Sequence, residues 1–310
     1  MSSFVHLHTH SSYSAMQGVP SIEALCAAAR SQGGDALALT DTNGLYGAIR
    51  FVQIAAQHGL RPILGAELLH RPRRAVLLAK TPAGYANLCR ILSARHTDPH
   101  FDLIASVRDH RDGLIVLSDD VAALTAWQRD GEDDLYVELT PGPAMAPLVT
   151  IVRRTGLPPV ATARAYFLEP DDFSLHRLLR AIAQNTTLSR LSASATCAPT
   201  HWLMRPAMLA RQFPHVPDAL ANTRRIAEAC HTDWQFKDTI FPAFRDLGDA
   251  DAFTLLREKT YAGAATRYGT ITPSVTERIE KELSVIHAKR YANYFLVVDE
   301  IVRRAPRTCG

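Results

Sequence analysis

Three histidines alternate along a short apolar segment near the start of the chain, Phe4-Val-His-Leu-His-Thr-His10. Successive side chains of a strand point to opposite faces, so His6, His8 and His10 would share one side if the strand continues through them. Two imidazoles at this spacing can bind one divalent cation, with zinc, manganese and iron as candidate ions. A His-x-His pair also occurs in packed cores, and its position at the end of a strand is what favours a metal site here.

Acidic side chains occupy the equivalent point of other predicted strands. Asp41 ends the second strand, Glu67 ends the third, and Asp119 follows the fifth. The carboxyl ends of parallel strands meet at one mouth of a barrel, so these acids are expected to face the histidines. Ser14, just beyond the histidines, could cap a turn or orient an imidazole. Helix capping explains each acid taken singly, so the metal-site prediction depends on their joint placement.

Short apolar runs, often β-branched, alternate with stretches of helical period through the first half of the chain. The predicted strands are Phe4–His8, Ala36–Thr40, Pro62–Leu68, Ala75–Ala79, Gly113–Leu117, Leu135–Leu139 and Pro158–Ala163. The predicted helices between most of them are Ser21–Ser31, Tyr46–His58, Gly84–Ala94, Val121–Trp127 and Ala144–Thr155. Alternation of this kind implies a largely parallel sheet, and seven such units suit a small α/β barrel.

The second half of the chain is predicted to be helical. Its helical patterns are Asp171–Ala183, Pro206–Phe213, Ala219–Cys230, Ala252–Arg267, Ser274–Lys289 and Tyr294–Arg304. A polar stretch, Asp246–Asp251, is the predicted domain boundary. We therefore expect a domain over residues 1–245, with its barrel core at about 1–185 and a helical extension at 186–245, followed by a helical segment over 246–310.

The composition excludes several classes of protein. With 47% hydrophobic and 21% charged residues, the 310-residue chain matches an ordinary soluble globular protein. No apolar run is long enough to span a membrane, and no signal peptide is visible. The five scattered cysteines contain no Cys-x-x-Cys pair, which favours a reducing compartment, and we expect the cytoplasm. The net charge of +3 permits a nucleic-acid partner without requiring one.

Several stretches, taken together, match the motifs of one known family. The first is His8–Ser11 with Gly18, the second is Ala38–Asp41 with Asn43–Gly47, and the third is Arg61–Glu67. These stretches resemble the successive motifs of PHP domains. They are most similar to the PHP domain that opens the alpha subunit of bacterial C-family DNA polymerases, the DNA polymerase III type.

Two further regions resemble the polymerase branch of this family rather than free-standing PHP phosphatases. They are Leu77–Lys80 with Gly84–Leu88, and the helical stretch Ser274–Val302, which fits the entry to the polymerase palm. The resemblance therefore covers essentially the whole chain. It implies a PHP-type (β/α)7 barrel followed by a mainly helical C-terminal region. The palm carboxylates would lie beyond residue 310, so we expect this chain not to polymerise DNA by itself.

The chain departs from the ligand pattern of metal-binding PHP domains. His8, His10 and Glu67 match ligand positions, and Asp119, which stands in place of a Cys or His, could still coordinate. The other ligand positions, where the family usually has Asp or His, are occupied by non-ligating residues: Gln17, Thr42, Arg74, Arg164 and Tyr166. The resemblance therefore predicts a partial site that holds at most one divalent ion, zinc or manganese, and holds it weakly.

Arg164 changes the chemistry expected at the mouth. A guanidinium stays protonated and cannot bind a metal, so it should pair instead with a carboxylate such as Glu67 or Asp119. Our hypothesis is that Arg164 substitutes for metal charge and helps to hold the barrel mouth closed. His6, Asp41 and Ser14 are assigned, with Arg164, to the layer around the ligands, although His6 is better explained as a core residue.

The resemblance implies a mainly structural PHP region of a DNA polymerase III alpha-like protein in replication or repair synthesis. An alternative is a metal-dependent phosphoesterase or 3′-5′ exonuclease at the barrel mouth, using a metal-bound hydroxide. A second alternative, a free-standing phosphatase of the histidinol-phosphate type, is disfavoured by the polymerase-like Ser274–Val302 stretch. The implied partners are DNA, through the full-length polymerase, and replication or proofreading subunits, with no membrane. Whether the parent is replicative or error-prone stays open.

Overall fold

The structure is a computed structural model that describes residues 4–131, 133–230, 234 and 242–305. The chain divides into two compact units, Met1–Trp234 and Gln235–Gly310. The predicted boundary, residues 246–251, lies near the start of the second unit, where Phe244 already packs against that unit's helices. Among the described helices, none combines the length and the apolar character needed to cross a membrane.

In the described part of the first unit, six strands form one sheet in sequence order. They are β1 (Ala36–Leu39), β2 (Arg61–His70), β3 (Arg73–Ala79), β4 (Leu114–Ser118), β5 (Leu135–Leu139) and β6 (Pro159–Ala161). β1–β2, β4–β5 and β5–β6 pair in parallel, whereas β3 is antiparallel to both of its neighbours. Only Arg71 and Pro72 separate β2 from β3, and so short a link can join only antiparallel neighbours. The predicted parallel arrangement is therefore interrupted at β3.

The predicted first strand is an irregular segment that pairs with both edges of the sheet. His6 forms a parallel bridge with Leu37 of β1, and Thr9 forms one with Ala165, just beyond β6. Backbone hydrogen bonds reinforce both contacts, from Ala38 N to the His6 oxygen at 2.9 Å and from His10 N to the Ala165 oxygen at 2.8 Å. The sheet is thus curled, and its two edges meet the same segment through isolated bridges rather than a continuous ladder.

Helices cover the outer face of this curled sheet. They are α1 (Ile22–Ser31), α2 (Ala48–Gln57), α3 (Pro82–Thr97), α4 (Leu103–Asp109), α5 (Val121–Arg129) and α6 (Met145–Thr155). α1 shows why the sequence forms them: the Ser21 hydroxyl accepts a hydrogen bond from Ala24 N, and an apolar face that includes Leu25 and Cys26 is buried. Five of the six match predicted helices; α4 is the one that was not predicted.

The inside of the curl is filled by apolar side chains and closed at one end. Val5, Leu7 and residues of five of the strands form an interior cluster that also includes Ile226 of α9 (Pro217–Ala229). The Asn222 side chain of α9 donates to the oxygen of Pro159, where β6 begins, at 2.7 Å. α9 therefore lies at the N-terminal end of β6, which leaves the opposite end of the curl as the mouth.

The remaining described helices confirm the helical second half. α7 (Phe173–Ala183) and α8 (Pro206–Ala210) precede α9 in the first unit, and α10 (Asp249–Tyr268), α11 (Pro273–Ala288) and α12 (Ala292–Arg304) make up the second unit. In the second unit, Leu256, Leu283 and Leu296 form a core with Phe244, and Lys259 pairs with Asp299 at 2.6 Å. All six helices were predicted from the sequence, with ends displaced by a few residues.

Candidate metal centre

Three buried side chains at the mouth bring ligand atoms together. His8, His10 and Glu67 each offer one ligand atom, and these atoms lie within 4.8 Å of one another. The Nε2 atoms of the two histidines are 3.1 Å apart, and the Glu67 oxygens lie 3.7 Å from His8 Nε2 and 3.8 Å from His10 Nε2. Two ligands at about 2.1 Å from a tetrahedral zinc ion would be roughly 3.4 Å apart. The spacing therefore suits one ion.

Hydrogen bonds on the far side of each imidazole determine which nitrogen faces the centre. His8 Nδ1 lies 2.6 Å from Glu138, an ionised carboxylate that can only accept, so this nitrogen donates. His10 Nδ1 lies 3.0 Å from the Ser14 hydroxyl, whose own proton goes to Asp41 at 2.6 Å, so His10 Nδ1 also donates. With both Nδ1 atoms turned outward, the two Nε2 atoms face each other across the centre, where one metal ion could bind both.

Asp41 holds the turn that orients His10. Its carboxylate accepts hydrogen bonds from Ser11 N at 2.7 Å, from the Ser11 hydroxyl at 2.8 Å and from the Ser14 hydroxyl. Burial raises the pKa of Asp41 to about 6, although these hydrogen bonds counter part of the shift. At neutral pH Asp41 is thus an ionised anchor behind the ligand rather than a ligand itself. Ser14 and Asp41 therefore lie behind His10, and their role in orienting a metal ligand stays a prediction.

Hydroxyl groups occupy two positions where the family pattern predicts histidine. Tyr166 donates to Glu67 Oε2 at 2.9 Å, and Thr42 donates to the same oxygen at 3.0 Å. The Tyr166 ring also stacks on His10, with centroids 3.9 Å apart and planes 5° from parallel. Neither neutral hydroxyl is an ordinary metal ligand. Both instead orient Glu67, the one carboxylate of the triad formed by His8, His10 and Glu67.

Arg164 is buried beside the triad and bridges two acids. Its Nη2 donates to Glu138 at 2.9 Å and to Asp119 at 3.0 Å, and its side chain is only 8% exposed. Arg74 forms a second ion pair with Asp119. The predicted pairing of Arg164 with Asp119 is therefore present. Asp119 is turned toward two guanidiniums, and it is not among the three described residues that converge on an ion site.

Electrostatic interactions keep Arg164 and Glu138 charged. Burial lowers the pKa of Arg164, but the Glu138 and Asp119 carboxylates outweigh it and raise the pKa above its ordinary value. Burial by itself would raise the pKa of Glu138, but the charges of Arg164 and His8 bring this pKa well below its usual range.

Arg164 also has φ of +47°, a left-handed conformation that non-glycine residues rarely adopt. Such strain persists where surrounding contacts hold the residue in place.

His6 lies apart from this cluster. Val5 and Leu7 face the interior, so His6 faces outward, edge-on to Phe4 with ring centroids 4.9 Å apart. A bend at His8 breaks the alternation, which is why His8 turns inward and the three histidines do not share one side. Burial lowers the pKa of His6 to about 4. The Gln32 side chain and the Met204 backbone counter part of this shift.

Glu138 is the functional residue that sequence reasoning missed. It lies in β5, whose sequence Leu-Tyr-Val-Glu-Leu was interpreted only as an apolar strand. A single carboxylate one residue from the end of a mostly apolar strand was the available signal, because buried acids are retained where they have charged partners. Its position next to His8 and Arg164 confirms that reason.

Replacing His201 with phenylalanine should reduce the dependence of stability on pH. The pKa of His201 is lowered to about 3, mainly because the side chain is buried and secondly because of the positive charge of Arg164. Below pH 6.5 the unfolded chain therefore takes up a proton that the folded chain does not, and stability falls by about 1.4 kcal/mol per pH unit. Urea unfolding should show the His201→Phe variant gaining about this much on wild type between pH 7.5 and pH 5.5. An unchanged difference at the two pH values would contradict the assignment.

Two family models match separate parts of the chain. Residues 6–147 match the PHP domain, and residues 254–308 match the bacterial DNA polymerase III alpha NTPase domain. Two solved structures titled as PHP-like or putative metal-dependent phosphoesterases also align. The one from Bacteroides vulgatus has 13% identity and a TM-score of 0.42, over 71% of this chain and 63% of that one. The one from Bifidobacterium adolescentis has 14% identity and a TM-score of 0.38, over 52% and 87%.

Curated relatives align along nearly the whole chain. An error-prone DNA polymerase of Symbiobacterium thermophilum is 31% identical over 98% of this chain and 32% of its own length. The DNA polymerase III subunits alpha of Treponema pallidum and Bacillus subtilis are 27% and 28% identical, over 97% and 98% of this chain. The chain spans about a third of the length of these relatives. The chain is therefore similar to DNA polymerase III alpha-like proteins, and it carries their PHP domain.

Proposed function

We propose that this PHP domain is a structural part of a DNA polymerase III alpha-like protein and holds at most one divalent ion. The observation that carries the proposal is the buried Arg164 guanidinium, paired with Glu138 and Asp119 where the family pattern predicts a ligand. A fixed positive charge there opposes a second ion by Coulomb repulsion. With a single weak ion and a guanidinium at its mouth, the domain is suited to stability rather than to phosphoester cleavage.

The residues fit one zinc or manganese ion. His8, His10 and Glu67 would hold it, and Glu138, Ser14, Thr42 and Tyr166 orient those ligands through the hydrogen bonds described above. When bound, such an ion supplies positive charge and Lewis acidity. Glu67 Oε2 already accepts two hydrogen bonds and Arg74 lies 3.9 Å from Oε1, so the carboxylate is shared between the site and its protein partners. This sharing supports weak binding.

The finer architecture is also a proposal. Residues 4–10 would act as the seventh strand of a closed (β/α)7 barrel, which is supported by their bridges to both edges of the sheet. The PHP domain would extend through residue 245, and residues 246–310 would lead into the polymerase palm. DNA, reached through the whole polymerase, and replication or proofreading subunits would be the partners. The cytoplasm would be the location, as for the bacterial chromosome.

Metal analysis combined with a nuclease assay tests this function. After dialysis against zinc or manganese, wild-type protein should retain no more than one ion per chain, and His8→Ala should retain none. Labelled single-stranded DNA should stay uncut when manganese is added. Two or three tightly held ions, or cutting that His8→Ala and His10→Ala abolish, would instead establish a phosphoesterase or exonuclease. Arg177→Ala, an exposed arginine of α7, is the matched control and should behave as wild type.

A further inference from the structure

The last described helix, α12, has apolar side chains on two of its faces. One face packs into the core of the second unit through Ala292 and Leu296, which are buried. The other face is formed by large apolar side chains that are 39–67% exposed: Tyr291, Tyr294, Phe295, Val298, Ile301 and Val302. We call these six side chains the α12 stripe. Packing within one unit requires only one apolar face, so a second, contiguous one indicates a surface for a partner.

The spacing within the α12 stripe is that of a seam between two helices. Tyr291, Tyr294, Val298 and Ile301 follow one another at intervals of three, four and three residues. Apolar residues that recur in this way line up along one side of a helix, where they pack against the same pattern on a neighbouring helix. The face is therefore suited to receive another helix rather than an extended peptide.

The charged side chains of α12 have partners outside the stripe. Asp299 pairs with Lys259 of α10 at 2.6 Å, which fixes that carboxylate on the side of the helix that faces its own unit. Glu300 forms an ion pair with Arg304. A second helix can therefore approach the α12 stripe without burying an unpaired charge, which would oppose association.

The distribution of side-chain sizes along the seam favours a second copy of the same helix, running in the opposite direction. Tyr291 and Tyr294 occupy the first half of the seam, and the β-branched Val298 and Ile301 occupy the second half. In an antiparallel pair, Tyr294 would face Val298 of the second copy, and Tyr291 would face Ile301 of that copy. Each layer then combines one large and one small side chain, as close packing requires. A parallel pair would place tyrosine on tyrosine at one end and splay the helices.

The extent of the α12 stripe is sufficient for a weak dimer. A large side chain buries about 150–250 Å², so six of them at 39–67% exposure present roughly 500 Å² on one copy. Two copies would together bury roughly 1,000 Å², which is the lower limit for a specific interface. Because α12 is already packed within its own unit, association does not have to order a new helix.

We propose that two copies of this chain associate through the α12 stripe as an antiparallel pair with two-fold symmetry. Such an interface uses the same patch on both copies, which is what the self-complementary order of aromatic and β-branched residues provides. The small area predicts a dissociation constant in the micromolar range, about 1–100 μM. The interface lies in the second unit and is independent of the triad, so the pairing goes beyond the proposed function.

Sedimentation of the full 310-residue chain tests the association. Over about 1–100 μM protein, the mean mass should rise from that of one chain toward that of two. Ile301→Glu places a charge in the seam and should weaken association at least about tenfold. Ile49→Glu, the same substitution at an exposed isoleucine of α2, is the matched control and should stay within about twofold of wild type.

Cross-linking tests the direction of the two helices. Variants Tyr294→Cys and Val298→Cys are mixed in equal amounts and oxidised in air, and the linked peptides are identified by mass spectrometry. Antiparallel packing predicts links between position 294 of one copy and position 298 of the other, whereas links of each position to itself would refute it. A chain that stays monomeric, or an Ile301→Glu variant that associates as strongly as wild type, would overturn the proposal and leave the stripe to a different partner.

Discussion

Replacing Arg164 with methionine is expected to lower the free energy of unfolding by about 3–5 kcal/mol. Methionine keeps much of the side-chain volume but leaves Glu138, which is 1% exposed, and Asp119 without this counter-charge. Removing one partner of a buried ion pair costs more than the pair itself contributes, because the remaining charge stays desolvated. Urea unfolding followed by tryptophan fluorescence is the measurement. All three tryptophans, Trp127, Trp202 and Trp234, lie in the unit that contains Arg164.

Two further variants test whether the lost charge of Arg164 causes the loss of stability. Arg164→Lys restores the charge but cannot reach two carboxylates in the same planar geometry, so an intermediate loss is expected. Arg177→Met removes an exposed arginine and should change stability by less than about 0.5 kcal/mol. If Arg164→Met unfolds at the wild-type urea concentration, Arg164 does not compensate the acids of the mouth.

The second large effect is expected from Gly18→Ala. A Cβ atom at Gly18 would lie 1.9 Å from the backbone oxygen of Ser11, a contact that only backbone movement can relieve. Overpacking of this kind costs about 1–3 kcal/mol. Ser11 also anchors Asp41, which holds Ser14 against His10, so the displacement reaches the triad. Metal affinity, measured by competition with a chromophoric chelator, should fall by about 10–100-fold.

Gly263→Ala is the control for that substitution. Gly263 lies within α10, and a Cβ there meets no atom within 4 Å. Alanine is the better helix former, so this variant should be unchanged or up to about 1 kcal/mol more stable. A Gly18→Ala variant that kept both wild-type stability and wild-type metal affinity would show that the turn around Ser11 does not support the ligands.

The positions of most elements could be predicted from apolar periodicity, but the direction of β3 could not. The predicted strands ended at Leu68 and began again at Ala75, and the residues between them did not show that the chain turns back directly. In the structure both strands continue through polar residues to His70 and from Arg73. Side chains at the open end of a sheet are solvated, so hydrophobicity does not mark where such strands end.

The candidate site was predictable where family motifs and strand ends coincide. His8, His10 and Glu67 converge as expected, and Arg164 pairs with Asp119. His6 could not be placed, because a bend in the backbone at His8 changes which side chains face inward and leaves no sign in residue type. Glu138 contacts His8 from 130 positions away in the sequence, and such long-range pairing depends on the curl of the sheet.

β3 runs antiparallel to both of its neighbours, so its first residues lie at the mouth and its later residues pack in the interior. Parallel strands reach this end through their carboxyl termini, but β3 reaches it through its amino terminus, where Arg73 and Arg74 follow the two-residue turn. Val76 and Leu78 belong to the interior cluster and pair in register with β4, further along β3 from that turn. Evolution can therefore exchange metal ligands for guanidiniums at this rim without redesigning the scaffold, so related chains can share this fold while differing in what their mouths bind.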